Sequence, residues 1–266
     1  MMDISSIIFS AVSIGGLGLV FGLGLGYAAK KFEVKVDPLI PVVRDALPGA
    51  NCGACGFAGC DAFAKGIVEG QAPINGCPVG GSETAAALSQ IMGVEASESA
   101  RQVAYVKCNG TCENAKEKYI YAGVTDCKNA AFLQGGGSKG CEYGCLGLGS
   151  CVAVCEFNAI DIIDGVAVIN DNCVACEKCV AACPKAIIEM VPDASKVRVA
   201  CNSADKGKEV KSNCSVGCIA CKICEKACPF DAIHVTDNLA RIDYEKCTQC
   251  DVCVEKCPTK AIPHLK

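Results

Sequence analysis

The chain has 266 residues, enough for one or two ordinary domains, and 25 of them are cysteine. So many thiols point to disulfides or metal, and with no tryptophan and few aromatics that framework must stand in for part of a hydrophobic core. The formal charge of −4 comes with no basic run, which argues against a nucleic-acid partner.

From Ile4 to Ala29 no residue is charged, a stretch long enough to cross a bilayer with some tilt. Asp3 precedes it and Lys30, Lys31 and Lys35 follow it. The positive-inside bias therefore predicts a single-pass anchor in the cell (inner) membrane, with everything after Lys30 in the cytoplasm. A signal peptide fits less well: a basic n-region and an A-x-A site are both missing, and the apolar run is too long. A cytoplasmic location keeps thiols reduced and favours metal over disulfides. Gly18, Gly22 and Gly26, four apart, predict a helix face on which a second helix packs. Gly16-Leu17-Gly18 follows no strand, so it is not read as a nucleotide loop.

Asp37-Pro38 predicts a helix start, with Asp as N-cap and Pro at N1, and Leu39, Ile40, Val43 and Leu47 as its buried stripe. Cys52, Cys55, Cys60 and Cys77 follow as a compact group. Gly49, Gly53, Gly56 and Gly59 lie among them, allowing close backbone approach and N–H bonds to sulfur. The group predicts a single [4Fe–4S] site closed by a helix over Ser82–Met92. Structural zinc is the rival, but zinc sites usually pair two short knuckles and only one is present. The polar stretch from Glu95 to Ser99 reads as a boundary.

A middle segment holds Cys108, Cys112 and Cys127. The loop from Gly135 to Gly140 has the wrong spacing for a phosphate cradle and reads as a flexible connector. From Cys141 onward the pattern repeats: cysteine cluster, short apolar strands, cysteine cluster, then the same again. Asp164-Gly165 between two apolar runs predicts a two-residue hairpin. Ile233-His234-Val235 and Ala240-Arg241-Ile242 predict its counterpart. His234 and His264 are the only histidines, and His234 reads as a surface or packing residue. No hydrolase triad or dinucleotide fingerprint is present, so the chemistry expected is one-electron transfer.

Three segments match C-x2-C-x2-C-x3-C-P: Cys173, Cys176, Cys179 and Cys183; Cys218, Cys221, Cys224 and Cys228; Cys247, Cys250, Cys253 and Cys257. In such runs the first three cysteines wrap one cubane and the fourth ligates the other cluster of the pair. A variant run, Cys141, Cys145, Cys151 and Cys155, has Glu156 in place of the proline. It shares its spacing with Cys214, Cys218, Cys224 and Cys228, with Leu148 where the second copy has Cys221. Cys127 and Cys201 fall at nearly matching distances upstream. Crossed ligation then predicts four sites: Cys141, Cys145, Cys151 with Cys183; Cys173, Cys176, Cys179 with Cys155; Cys218, Cys221, Cys224 with Cys257; and Cys247, Cys250, Cys253 with Cys228. Cys214 competes for a place in the second copy. With the Cys52 group the expectation is five [4Fe–4S] clusters. Cys108, Cys112, Cys127, Cys201 and Cys214 are left over, either as buried free thiols or as ligands of a sixth.

The membrane helix, the run from Leu47 to Cys60 (LPGANCGACGFAGC), Cys77-Pro78 and the ferredoxin-like repeats closely resemble the B subunits of Rnf complexes, which are ion-translocating ferredoxin:NAD+ oxidoreductases. The resemblance covers nearly the whole chain. It implies an α+β chain: an anchor over 1–29, a single-cluster domain over 30–95, a middle segment over 96–140, and bicluster ferredoxin-like modules over 141–200 and 201–266. It also implies a translocase component that takes electrons from soluble ferredoxin and relays them to other subunits of the membrane complex, toward flavin and NAD+. An anchored polyferredoxin of another membrane oxidoreductase, such as a hydrogenase, is the alternative, and a zinc-stabilised scaffold is a third reading. The anchor carries no carboxylate, so the ion path is expected in other subunits. Chain reach keeps the Cys52 group, roughly twenty-five residues after the helix, near the membrane.

Overall fold

The computed structural model describes residues 4–32, 37–95 and 100–264. Asp3 and Lys35 of the anchor flanks, and Ala96 to Ser99 of the expected boundary, lie outside the described residues. The chain divides into two units, Met1–Ile40 and Pro41–Lys266.

In the first unit, α1 spans Ile4–Lys31, with Lys30 and Lys31 in its last turn, where the helix dipole favours cations. Its segment Val12–Lys31 has a mean hydropathy of 1.7, and none of it is buried. Leu17, Val20, Phe21 and Leu25 stand bare around the helix. A bilayer covers such a surface; water does not tolerate it as a contiguous patch. A Cβ built at Gly18, Gly22 or Gly26 would meet nothing within 4 Å, so that face is open.

Asp37 begins α2 (Leu39–Asp45) by accepting the Leu39 N–H at 2.9 Å, the capping predicted from its position. The predicted stripe is only half right. Val43 and Leu47 are buried, but Leu39 is exposed, because the helix ends after two turns and offers only its C-terminal part to the core. In the second unit α3 (Cys60–Val68) and α4 (Gly81–Met92) flank the first cysteine group. Phe63 and Leu88 are the large side chains of its small core. Phe57 and Phe63 lie 5.5 Å apart, tilted, and Phe57 packs on Gly66, where a Cβ would fall 2.7 Å from its ring.

The strand β1 (Gln102–Val106), the short helices α5 (Cys127–Ala131) and α6 (Ser150–Ala153), and the hairpin β2 (Ile160–Ile163) and β3 (Val166–Ile169) come next. Then follow α7 (Lys178–Ala182), β4 (Ile188–Pro192), α8 (Gly207–Asn213), α9 (Ile223–Ala227), the hairpin β5 (Ile233–Thr236) and β6 (Leu239–Ile242), and α10 (Val252–Lys256). Both predicted hairpins form, with Ile160 opposite Ile169 and Ile233 opposite Ile242. Each turns on two residues with positive φ, Asp164-Gly165 and Asp237-Asn238, as a type I′ turn requires.

One pairing was not foreseen. β1 lies antiparallel to β4, with Val103 opposite Val191 and Val106 opposite Ile188. The middle segment therefore completes the first module rather than standing apart. Its next stretch is stitched to the second: Lys116 N–H donates to Asn213 O at 2.9 Å and Ser215 N–H to Asn114 O at 2.8 Å. The glycine loop is not the loose connector its composition suggests. Lys118 N–H donates to Ser138 O and Gly140 N–H to Lys116 O, both at 2.7 Å. Two buried clusters result, one around Val103, Ile160, Ile187 and Val191, the other around Val197, Ile233, Ala261 and Ile262. Cysteines line both, so the fold is built around thiols as much as around aliphatic side chains.

Candidate metal centres

The loops between cysteines have an unusual backbone. Ala175 and Glu177 flank Cys176, Ala220 and Lys222 flank Cys221, and Gln249 and Asp251 flank Cys250, all with φ between 54° and 61°. Left-handed residues on both sides of each middle cysteine turn the loop tightly around it. The variant loop keeps this shape with Gly147 (φ 69°) and Gly149 (φ 79°) on either side of Leu148. The first copy has the same loop with Leu148 in the place of the middle thiol.

Three cavities of about 20 Å³ are each ringed by four cysteines. One is lined by Cys155, Cys173, Cys176 and Cys179, one by Cys218, Cys221, Cys224 and Cys257, and one by Cys228, Cys247, Cys250 and Cys253. In each, three thiols come from one loop and one from the partner loop. The lone sulfurs Cys155, Cys228 and Cys257 accept N–H bonds from Ala159, Ala232 and Ala261 at 3.4, 3.4 and 3.3 Å. Gln249 adds a side-chain N–H to Cys247 at 3.3 Å, and Ala104 N–H reaches Cys173 at 3.4 Å. Such N–H···S bonds stabilise a cluster's negative charge.

Cys52, Cys55, Cys60 and Cys77 also come together. Burial raises the Cys77 thiol pKa, Gly80 N–H lowers it, and the neighbouring Cys60, Cys52 and Cys55 raise it further. Gly80 N–H lies 3.3 Å from Cys77 Sγ. Asn51 holds the turn, accepting Cys60 N–H at 2.8 Å. Gly59, at φ 147°, would strain any side chain, whose Cβ would also crowd Asn51 Oδ1 at 3.1 Å.

In the variant run the thiols nearest one another differ from the expected set. Cys151 is pushed up to about 12 by burial, and the thiols bearing on it are Cys145, Cys127 and Cys183. Cys141 instead feels Cys108 and Cys214. Cys127, Cys145 and Cys183 thus lie near Cys151, and Leu148 stands where the second copy has Cys221. Cys127 is brought in by α5. Asp126 caps that helix by accepting Asn129 N–H at 3.0 Å and accepts the Ser150 hydroxyl at 2.6 Å, while Ser150 in turn accepts Cys127 N–H at 2.7 Å. No fixed-spacing motif marks Cys127; the signal was the missing thiol at 148. Cys127 also does not correspond to Cys201. Lys107 N–H donates to Ile187 O and Ala200 N–H to Ala261 O, both at 2.8 Å, which sets Cys108 and Cys201 in matching places. Of the remaining thiols, Cys112 is exposed. Cys108, Cys141, Cys201 and Cys214 line one further cavity.

Glu156, standing where the other runs have proline, pairs with Lys178 at 2.6 Å. His234 lies at the surface beside Glu225 and Asp231, and His264 faces Asp251 at 3.2 Å. Among the described residues no three His, Cys, Asp or Glu side chains converge on a point suited to one metal ion. Thiols that ring a cavity and receive N–H bonds fit a cubane, whose irons sit at separate corners, better than a zinc ion.

Comparison with known proteins agrees with this chemistry. Residues 47–79 match a family model described as "Putative Fe-S cluster", and residues 172–232 and 217–261 match the "4Fe-4S dicluster domain". The chain is 53% identical over 251 residues to the B subunit of the Na(+)-translocating ferredoxin:NAD(+) oxidoreductase complex of Acetobacterium woodii, covering 94% of this chain and 75% of that protein. It is 48% identical to the B subunit of the ion-translocating oxidoreductase complex of Methanosarcina acetivorans, over 97% of this chain and 98% of that one. It is 43% identical to the B subunit of the proton-translocating ferredoxin:NAD(+) oxidoreductase complex of Clostridium ljungdahlii, over 91% and 86%. The chain therefore belongs to the B-subunit family of ion-translocating ferredoxin:NAD+ oxidoreductase complexes.

Proposed function

We propose that this chain is the iron–sulfur electron-transfer component of a membrane-bound ion-translocating complex, accepting electrons from reduced ferredoxin and passing them toward flavin subunits and NAD+. The observation that carries the reading is the run of four-cysteine groups in which paired loops exchange their fourth thiol. Bound [4Fe–4S] clusters supply one-electron transfer. The residues do the rest. Thiolates hold iron, the left-handed loops turn around the middle cysteines, the alanine N–H groups after each fourth cysteine offset charge on sulfur, and the aliphatic core keeps water away.

Five groups are assigned here: Cys52, Cys55, Cys60 and Cys77; Cys127, Cys145, Cys151 and Cys183; Cys155, Cys173, Cys176 and Cys179; Cys218, Cys221, Cys224 and Cys257; Cys228, Cys247, Cys250 and Cys253. The helix α1 anchors the protein in the cell membrane as a single pass, with the cysteine-bearing unit on the cytoplasmic side, where Lys30 and Lys31 lie. The domain limits proposed are those of the resemblance, except that 96–140 is counted with the modules it joins. A polyferredoxin of another oxidoreductase is disfavoured by the family to which the chain belongs.

The test is anaerobic purification of the complex followed by mixing with reduced ferredoxin. Bleaching of the broad visible absorbance of this chain, with NADH formed in the complete complex, is expected. A colourless, zinc-loaded chain, or one that ferredoxin cannot reduce, would reject the reading.

A further inference from the structure

We propose that Cys108, Cys141, Cys201 and Cys214 hold a sixth [4Fe–4S] cluster, placed where the two bicluster modules meet. The proposal rests on the reading that the five other groups hold such clusters, and it assigns ligands that no ferredoxin-type motif contains.

The first ground is the cavity. It measures about 30 Å³ and has the four cysteines in its wall. The three motif-built cavities, at about 20 Å³ each, are no larger. A space of this kind, walled by thiols, is what the fold makes elsewhere for its cofactor.

The second ground is the environment of the sulfurs. Cys108 accepts the Cys145 N–H at 3.4 Å, and Cys201 accepts the Cys218 N–H at 3.3 Å. Cys141 and Cys214, half-buried, face the same cavity. Four buried or half-buried thiols with no ligand have little use for such donors, because a neutral S–H is a weak acceptor. Four thiolates on iron need them.

The third ground is symmetry. Cys108 and Cys141 come from the first copy, and Cys201 and Cys214 stand at the matching places of the second. The matching backbone bonds at Lys107 and Ala200, and the shared spacing from Cys141 to Cys145 and from Cys214 to Cys218, set this correspondence. The chain bridges the seam directly, Ala115 pairing with Cys214 across it. A repeat that donates two thiols from each copy to one central cavity is the signature of a shared site, not of scattered free cysteines. Its place is also apt for relay. Cys108 touches Cys145, a ligand of the first module, and Cys201 touches Cys218, a ligand of the second. With this group counted, all cysteines except Cys112 fall into sets of four.

The test is iron and acid-labile sulfide analysis of the full chain, purified anaerobically, with its Cys214→Ala, Cys108→Ala and Cys112→Ala variants. Four irons per group give about 24 irons for the proposal and about 20 without it. The wild type and Cys112→Ala should both hold about 24 irons, and Cys214→Ala and Cys108→Ala should each lose about four. A wild type near 20 irons overturns the proposal while leaving the electron-carrier reading intact, and a wild type without iron overturns both. About 20 irons with one zinc would assign the cavity to zinc and also overturn it. If a variant loses all its iron by misfolding, the wild-type value still decides, and Mössbauer quantification of cubane iron in that sample provides an independent count.

Discussion

Lys139 donates its ammonium group to the carbonyl oxygen of Gly165 at 2.8 Å. The same nitrogen donates to Gly110 O at 2.7 Å, and the residue is only 4% exposed. Its charge bears on Cys145 and on Cys214, thiols of two different groups. A buried cation beside thiolate-bound iron favours the added electron, since Coulomb interactions strengthen away from water. Lys139→Met should therefore lower the reduction potentials of the clusters held by these two groups. It should also cost roughly 1–3 kcal/mol of stability, because one buried and one part-buried carbonyl lose their donor. Redox titration followed by EPR, with exposed Lys208→Met as control, reads the first effect. Potentials that match the control would show that Lys139 is a structural strut alone.

The relation between Cys127 and Leu148 gives a rescue experiment. Cys127→Ala should remove about four irons, the content of one cluster. Because Gly147 and Gly149 keep the left-handed flanks of the standard loop, a thiol at 148 would stand where Cys221 stands in the second copy. Cys127→Ala combined with Leu148→Cys should therefore recover the lost iron. If the double variant stays as depleted as Cys127→Ala, the loop does not hold the geometry assigned to it.

Most of this architecture was legible in the sequence, and the part that was not follows from how ligands reach a site. The three Cys-Pro runs carry three ligands within one loop, so spacing alone reveals them. The hairpins announced themselves through Asp164-Gly165 between apolar runs. Cys127 reaches Cys151 by tertiary packing, across 24 residues, and no local pattern encodes that distance. The β1–β4 pairing joins segments more than 80 residues apart, with strands too short for their alternation to stand out. Lys139 was hidden inside a glycine-rich stretch whose composition suggests a loose connector.

The anchor can be removed without touching a thiol. Deleting residues 1–29 should give a chain that stays in solution and keeps its full iron content, since Pro41–Lys266 form their own compact unit. The deletion should cost membrane association and, through the open Gly18, Gly22 and Gly26 face, co-purification with membrane subunits, because close helix approach depends on small residues. Recovery of the truncated chain with those subunits at full yield would show that the glycine face is dispensable for assembly.

The groups have an order. Cys52 bears on both Cys176 and Lys178, so the Cys52 group adjoins the group of Cys155, Cys173, Cys176 and Cys179. At the far end of the chain, Cys253 bears on Cys224, which links the last two groups to each other. The Cys52 group thus neighbours the first module, and the Cys228 group lies in the second. Electrons should enter at the C-terminal module and leave through the Cys52 group. Cys52→Ala tests this, because that group's four ligands are local in sequence and its loss should spare the rest. Reduced ferredoxin should still bleach the remaining clusters in stopped-flow absorbance, while NADH formation by the complete complex should fall to background. Loss of bleaching altogether would place the entry point at the Cys52 group, and NADH at the unmodified rate would take that group out of the path. Iron analysis of the same sample, showing a loss of about four irons, ensures that either result reflects one missing cluster and not a collapsed fold.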